Sequence, residues 1–239
     1  MKFEDFLNES VKTTVQPQSK RELIRIINET TYDNGLKCDL NFIDTSKITD
    51  MSSLFESSRF NGDISKWDVS HVKDMSRMFC GSLFNGDISK WNVSNVKDME
   101  NMFYRSDFNG DISKWNVSKV EDMGYMFTES EFDGDISKWN VSNVRDMCCM
   151  FERSNFNGDI SKWDVSNVEN MRSMFYGSIF NGDISNWDVS NVSTMEDMFA
   201  KSKFDDIRIL SKWSPRKDSK RRNIFNNSPL NGKRFKHVK

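Results

Sequence analysis

Histidine is nearly missing from this chain. His71 and His237 are the only two in 239 residues, which leaves little material for a Ser-His or Cys-His nucleophile pair. Cysteine is scarce as well. Cys38, Cys80, Cys148 and Cys149 hold no common place in the pattern described below, so a disulfide ladder is not expected and reduced thiols in a cytosol are the simpler reading. No run comes near the roughly 18 apolar residues of a membrane span. There is no Gly-rich phosphate loop and no Cys/His cluster with metal-ligand spacing. The acidic start, Met1-Lys-Phe-Glu-Asp-Phe-Leu-Asn-Glu-Ser10, lacks a long apolar core and does not read as a secretory signal. A net charge of -2 gives no overall pull toward nucleic acid or membrane. These absences point away from catalysis, metals and cofactors, and toward a cytoplasmic binding role.

What the chain has is one phrase written six times. Phe60-Asn-Gly-Asp-Ile-Ser-Lys-Trp-Asp-Val-Ser-His-Val-Lys-Asp-Met-Ser-Arg-Met-Phe79 returns from Phe84, Phe108, Phe132, Phe156 and Phe180, at a period of 24 residues. A fixed period of that size means one structural turn per copy, stacked into a solenoid. Eight columns are apolar: in the first copy Phe60, Ile64, Trp67, Val69, Val72, Met75, Met78 and Phe79. Ile64-x-x-Trp67-x-Val69 has leucine-rich-repeat spacing and predicts a short parallel strand on one face, with Trp67 and Val69 pointing inward. Met75, Met78 and Phe79 stand at i, i+3 and i+4 and predict a short helical turn on the other face. Asn61-Gly62-Asp63 signals a turn. The six repeat tryptophans would lie one above another at about 4.8 Å.

The ends read as caps. Residues 1–17 are a flexible leader, 18–59 a cap helix with a first half-copy, 60–203 the six repeats, 204–232 a degenerate capping copy, and 233–239 a basic tail. Ser19-x-x-Glu22 is a capping box; it opens a helix to about Asn28 with Leu23, Ile24, Ile26 and Ile27 as the apolar face. In the last copy Trp213 comes two residues late, and Ile224-Phe225 takes the place of Met78-Phe79.

Candidate recognition residues lie in the columns that differ between copies. Tyr104, Arg105, Tyr125, Arg153, Arg172 and Tyr176 are of types enriched in protein interfaces; neutral drift on a solvated edge would vary these columns too. From Leu210 to Lys239 there are ten Lys or Arg and one Asp. Arg216, Lys217, Lys220, Arg221, Arg222, Lys233 and Arg234 could grip phosphates or an acidic protein. The Lys66 column, balanced by Asp or Asn two places on, reads as a solvated ladder. The Asp63 column offers one carboxylate per copy, which suits turn capping better than calcium.

The repeat, with its lead-in Lys20-Arg-Glu-Leu-Ile and Cys38-Asp-Leu-Asn-Phe-Ile-Asp-Thr-Ser-Lys-Ile-Thr-Asp-Met51, resembles the BspA-like repeat over residues 18–232. That family is a domain of unknown function found in bacterial surface proteins, mycoplasma lipoproteins and some viruses. The resemblance implies a leucine-rich-repeat-like solenoid used for adhesion or protein binding, and it carries no catalytic residues. With no signal peptide, lipidation Cys or wall anchor in view, surface display is not expected. Leu7-Asn8-Glu9 before Ser10 resembles the trimmed leader of proteins packaged in the heads of large tailed phages. Three functions follow. One is a non-catalytic scaffold binding an unknown protein. Another is a phage-encoded intracellular factor that inhibits or redirects a host protein. The last is a binder of nucleic acid or an acidic partner through the basic cap.

Overall fold

The computed structural model describes residues 14–233. The tripeptide from Leu7 to Glu9, Arg234 and His237 lie outside the described residues. Helix α1 spans Lys20–Asn34. The Ser19 hydroxyl accepts the Glu22 N–H, and the Glu22 carboxylate accepts the Gln18 N–H at 2.8 Å. The helix runs six residues past Asn28 and ends at Gly35, whose φ of 82° lets its N–H reach the Thr31 carbonyl. Leu23, Ile26 and Ile27 are buried, whereas Ile24 faces solvent. The apolar face is therefore narrower than the sequence predicts. Among the described residues no helix is long and apolar enough to cross a membrane.

The repeats contain neither the strands nor the helical turns that were expected. From Met75 onward the backbone is a chain of tight turns. Met78 N–H donates to Met75, Cys80 N–H to Arg77 and Ser82 N–H to Phe79, at 3.0 to 3.1 Å. The intervening N–H groups point along the stack. Those of Met75, Arg77, Phe79 and Gly81 donate to the carbonyls of Asp98, Glu100, Met102 and Tyr104 in the next copy, at 2.7 to 3.0 Å. Sending alternate N–H groups inward and onward requires positive φ twice per coil, as the third residue of a type II turn does. Arg77 (58°) and Gly81 (63°) make the first full-repeat pair, and equivalent pairs run through eight coils from Ser53/Ser57 to Asn223/Asn227.

Met75, Met78 and Phe79 are fully buried, but by turns rather than by a helix. Two parallel bridges, Val15 to Ile43 and Asp39 to Asp63, stand at the entry cap, and through the repeats parallel pairing shrinks to single bridges from Asp50 through Asp74, Asp98, Asp122, Asp146, Asn170 and Thr194 to Lys220. These sit beside Met75 instead of at Trp67 and Val69. The reason is local: Trp67 N–H turns back to Ile64 at 3.2 Å and Val72 N–H to Val69 at 3.0 Å, so neither joins a ladder.

The core is one continuous body from Leu23 to Leu230. Its spine is phenyl rather than indole. Phe79 stacks on Phe103 at 5.7 Å, Phe84 on Phe108 at 6.4 Å, and Phe79 on Phe84 at 4.5 Å. A Cβ added to Gly86 would stand 2.7 Å from the Phe84 ring, which is why glycine stands two places after the first phenylalanine of each of the six repeats. The indoles lean on the phenyl column, and each donates its N–H to the preceding coil: Trp91 to Ile64 at 3.2 Å, Trp139 to Ile112 at 3.1 Å, Trp213 to Ile184 at 3.0 Å. A 3-10 turn at Ile209–Lys212 takes up the two extra residues before Trp213. Phe225 then stacks on Phe199 at 5.9 Å.

Trp139→Phe would leave the buried Ile112 carbonyl without its indole donor. We expect a loss of about 1–3 kcal/mol in urea unfolding, against a change within about 0.5 kcal/mol for the exposed neighbour Lys138→Ala. Equal effects at both positions would contradict the role given to the indole.

Candidate functional site

The chained turns push side chains outward in columns, and stacking brings unlike residues of one column into contact. The Arg105 guanidinium lies 5.1 Å from the centre of the Tyr104 ring. Its Nε is 2.8 Å from Glu129 Oε2, and Arg153 Nη1 is 3.0 Å from Glu129 Oε1. The Arg153 guanidinium lies 5.6 Å from the Tyr176 ring centre, and Lys201 Nζ 5.2 Å from the same ring. Four of the six predicted residues thus form one strip, with the tyrosines half-buried and the cations exposed. Hydrogen bonds from Arg105, then from Arg153, hold the Glu129 carboxyl below its ordinary range.

Tyr125 and Arg172 fall on a neighbouring row. They line a groove of about 430 Å³ with Asp122, Asp146, Cys148 and Glu196. The bridged acidic column runs beside it. Burial pushes the Asp98 and Glu100 carboxyls up. It pushes Asp122 up to about 6, with the charges of Asp146, Asp98 and Glu100 adding to the effect and the Gly124 N–H opposing it. Asn170 holds the same column two coils on, where it accepts the Arg172 N–H at 3.0 Å and donates to Asp146 at 2.9 Å. The Asp63 column behaves oppositely. Asp63, Asp87 and Asp111 accept the N–H of Ser65, Ser89 and Ser113 at 2.9 Å, and hydrogen bonds from those serines hold the carboxyls below the usual value. Among the described residues no three His, Cys, Asp or Glu gather as a metal site.

The basic residues of the last coil are dispersed. Arg216 is bound to Asp218 at 2.8 Å, and Arg222 lies 3.9 Å from Glu196. Arg221 is half-buried, with its Nε 3.4 Å from the Ser219 carbonyl. Lys217, Lys220 and Lys233 are exposed. Sequence reasoning missed Glu129 and Lys201. Both stand in the column of Arg105 and Arg153, so reading charges down columns rather than along copies would have found them. It also passed over the Cys148–Cys149 pair, whose sulfurs lie 3.5 Å apart.

The raised Asp122 gives a pH prediction. The folded chain holds that proton more tightly than the unfolded chain does, so ionisation above about pH 6 costs stability. The cost builds between about pH 4 and pH 6, where the unfolded chain has ionised and the folded chain has not, and it vanishes below about pH 3, where both states are protonated. Asp122→Asn keeps the acceptor for Gly124 and copies the native Asn170. It should stabilise the chain by about 1–2 kcal/mol at pH 7 and leave it unchanged near pH 3, as read from melting curves across that range.

The family model described as "Mycoplasma protein of unknown function, DUF285" matches twice, over residues 25–133 and 128–236. No curated protein and no solved structure matches the chain. The two matches together run from within α1 through the last coil, and the chain belongs to this family of proteins of unknown function.

Proposed function

We propose that the chain is a non-catalytic scaffold, a solenoid that docks another protein along the strip formed by Tyr104, Arg105, Glu129, Arg153, Tyr176 and Lys201. The observation that carries this reading is the Glu129 clamp. One carboxylate ties two guanidinium groups from the coils on either side of its own, and each guanidinium lies against a tyrosine ring. Arg and Tyr are the types that most often dominate binding energy, and side chains ordered before contact lose less entropy on binding. From Arg105 to Lys201 the strip crosses four coil spacings, about 19 Å at a strand-like rise. The partner surface it suits offers carboxylates beside apolar area.

Tyr104→Ala combined with Tyr176→Ala should weaken capture of the partner by at least about tenfold, in a pull-down whose bound species are quantified by mass spectrometry. Lys90→Ala with Lys114→Ala, on the lysine ladder, should leave it intact. Capture that ignores the tyrosines sinks this reading. The exposed Lys217, Lys220 and Lys233 favour a second one, an anionic partner at the terminal coil. In that case binding falls steeply with salt and Lys217→Glu with Lys220→Glu abolishes it.

A further inference from the structure

Cys148 and Cys149 are the two central residues of the turn closed by the Met150 N–H on the Met147 carbonyl at 3.3 Å. Cys149 takes the positive φ of that turn, 55°. Their Sγ atoms lie 3.5 Å apart, and Cys148 Sγ is 3.8 Å from the Tyr125 hydroxyl. Both cysteines are buried, and Cys148 lines the groove it shares with Asp122, Tyr125 and Arg172.

A direct disulfide fits this geometry poorly. The peptide between the two residues is not cis, and a trans peptide fixes the Cα atoms about 3.8 Å apart. Ordinary disulfides span about 4.4–6.8 Å between Cα atoms, and the sulfurs must close to about 2.05 Å. A single atom held between the sulfurs asks for much less movement. Two bonds of about 2.3 Å at a tetrahedral angle put sulfurs about 3.8 Å apart, close to the 3.5 Å present. No cluster of three metal-ligating side chains stands here among the described residues, so the occupant must be satisfied by two sulfurs. A trivalent arsenical meets that condition, and a four-coordinate zinc ion does not.

We propose that Cys148 and Cys149 form a bidentate dithiol site that captures one thiophilic centre of the trivalent organoarsenical class. With an arsenoxide, both S–H bonds and the arsenic–oxygen bond break and two As–S bonds form. The oxygen leaves as water with the two thiol protons, and arsenic keeps its oxidation state. Hydrogen bonding with Cys149, and then with Tyr125, outweighs burial and holds the Cys148 thiol below its ordinary value, so Cys148 is the sulfur that attacks first. Cys38 and Cys80 are free thiols with no adjacent partner in sequence and can offer only single bonds.

The test uses the full reduced chain and phenylarsine oxide, with tryptophan fluorescence confirming that the fold persists. The folded chain should take up one equivalent and lose two titratable thiols. The adduct should map to the peptide holding Cys148 and Cys149, and a dithiol should reverse it where an equal concentration of a monothiol does not. Cys148→Ser and Cys149→Ser should each weaken uptake at least about 100-fold, the size of a lost chelate link. Cys38→Ser and Cys80→Ser should match the parent chain. Uptake only after denaturation, an adduct mapping elsewhere, or full uptake by Cys149→Ser would overturn the assignment. The native stoichiometry and the mapping decide the matter even if a serine variant fails to fold.

Discussion

Every second backbone N–H along the turn segment belongs to the neighbouring coil. Met75, Arg77, Phe79 and Gly81 hand theirs to the copy that follows, and the exchange repeats down the stack as far as Met195, Asp197, Phe199 and Lys201, which donate to the last coil. A lone copy would leave these donors without protein partners, and a buried donor left unpaired costs about 1–3 kcal/mol. The same exchange sets the coil spacing, so the phenyl rings of successive copies fall into stacked columns. It also explains the ends. Helix α1 closes the first end with Leu23, Ile26 and Ile27 in the core and with Lys20 on Asp50 at 2.9 Å. At the other end Arg221 stands where the repeats carry their first methionine, half-buried, beside its own Ser219 carbonyl. A terminal coil needs a polar outer side, and this substitution supplies part of it.

Much of the core was legible because burial follows the columns. The eight apolar columns read from the sequence are buried in all six repeats. Backbone conformation was less legible. Spacing of i, i+3 and i+4 suits a helical turn, but two tight turns in succession bury the same positions. What separates them is the partner of each N–H, and that partner sits in another copy. Residue type gave little help. Arg77, Tyr125 and Cys149 hold positive φ, a region such residues seldom enter, at a cost of about 1–2 kcal/mol each. The cost is tolerable because each of these residues also donates an intercoil bond. Helix α1 shows a milder version. Thr30, Thr31 and Asn34 look like loop residues, yet Thr31 and Asn34 bond back to Ile27 and Thr30 carbonyls, and the true stop is Gly35.

The candidate strip was half legible. Residue type picked out Tyr104, Arg105, Arg153 and Tyr176, which the fold brings together, and also Tyr125 and Arg172, which it places on another row. What the sequence hid was the clamp. Glu129 contacts arginines 24 residues away on either side, so the ion pairs run down the stack and leave no mark within any one copy.

Exposure alone does not mark a surface that can diversify. Asn85 and Asn109 are exposed, yet the Oδ1 of Asn85 accepts the N–H of Asn109, as Asn61 does for Asn85. Asn95, Asn143, Asn167 and Asn191 donate to serine carbonyls of the preceding coil. The Asp63 column caps its own turns. Changing any of these exposed side chains removes a bond that holds copies or turns in place. On the turn segment and its two margins, from the Lys73 column to the Leu83 column, the backbone makes a full set of intercoil bonds of its own, and side-chain bonds such as those of Glu129 and Asn170 are added to it. Exposed side chains there add to a stack the backbone already holds, and among them the copies differ most. Tolerance of change is thus set by which atoms hold the stack, and a surface specific to one partner can be written only where the backbone does the holding.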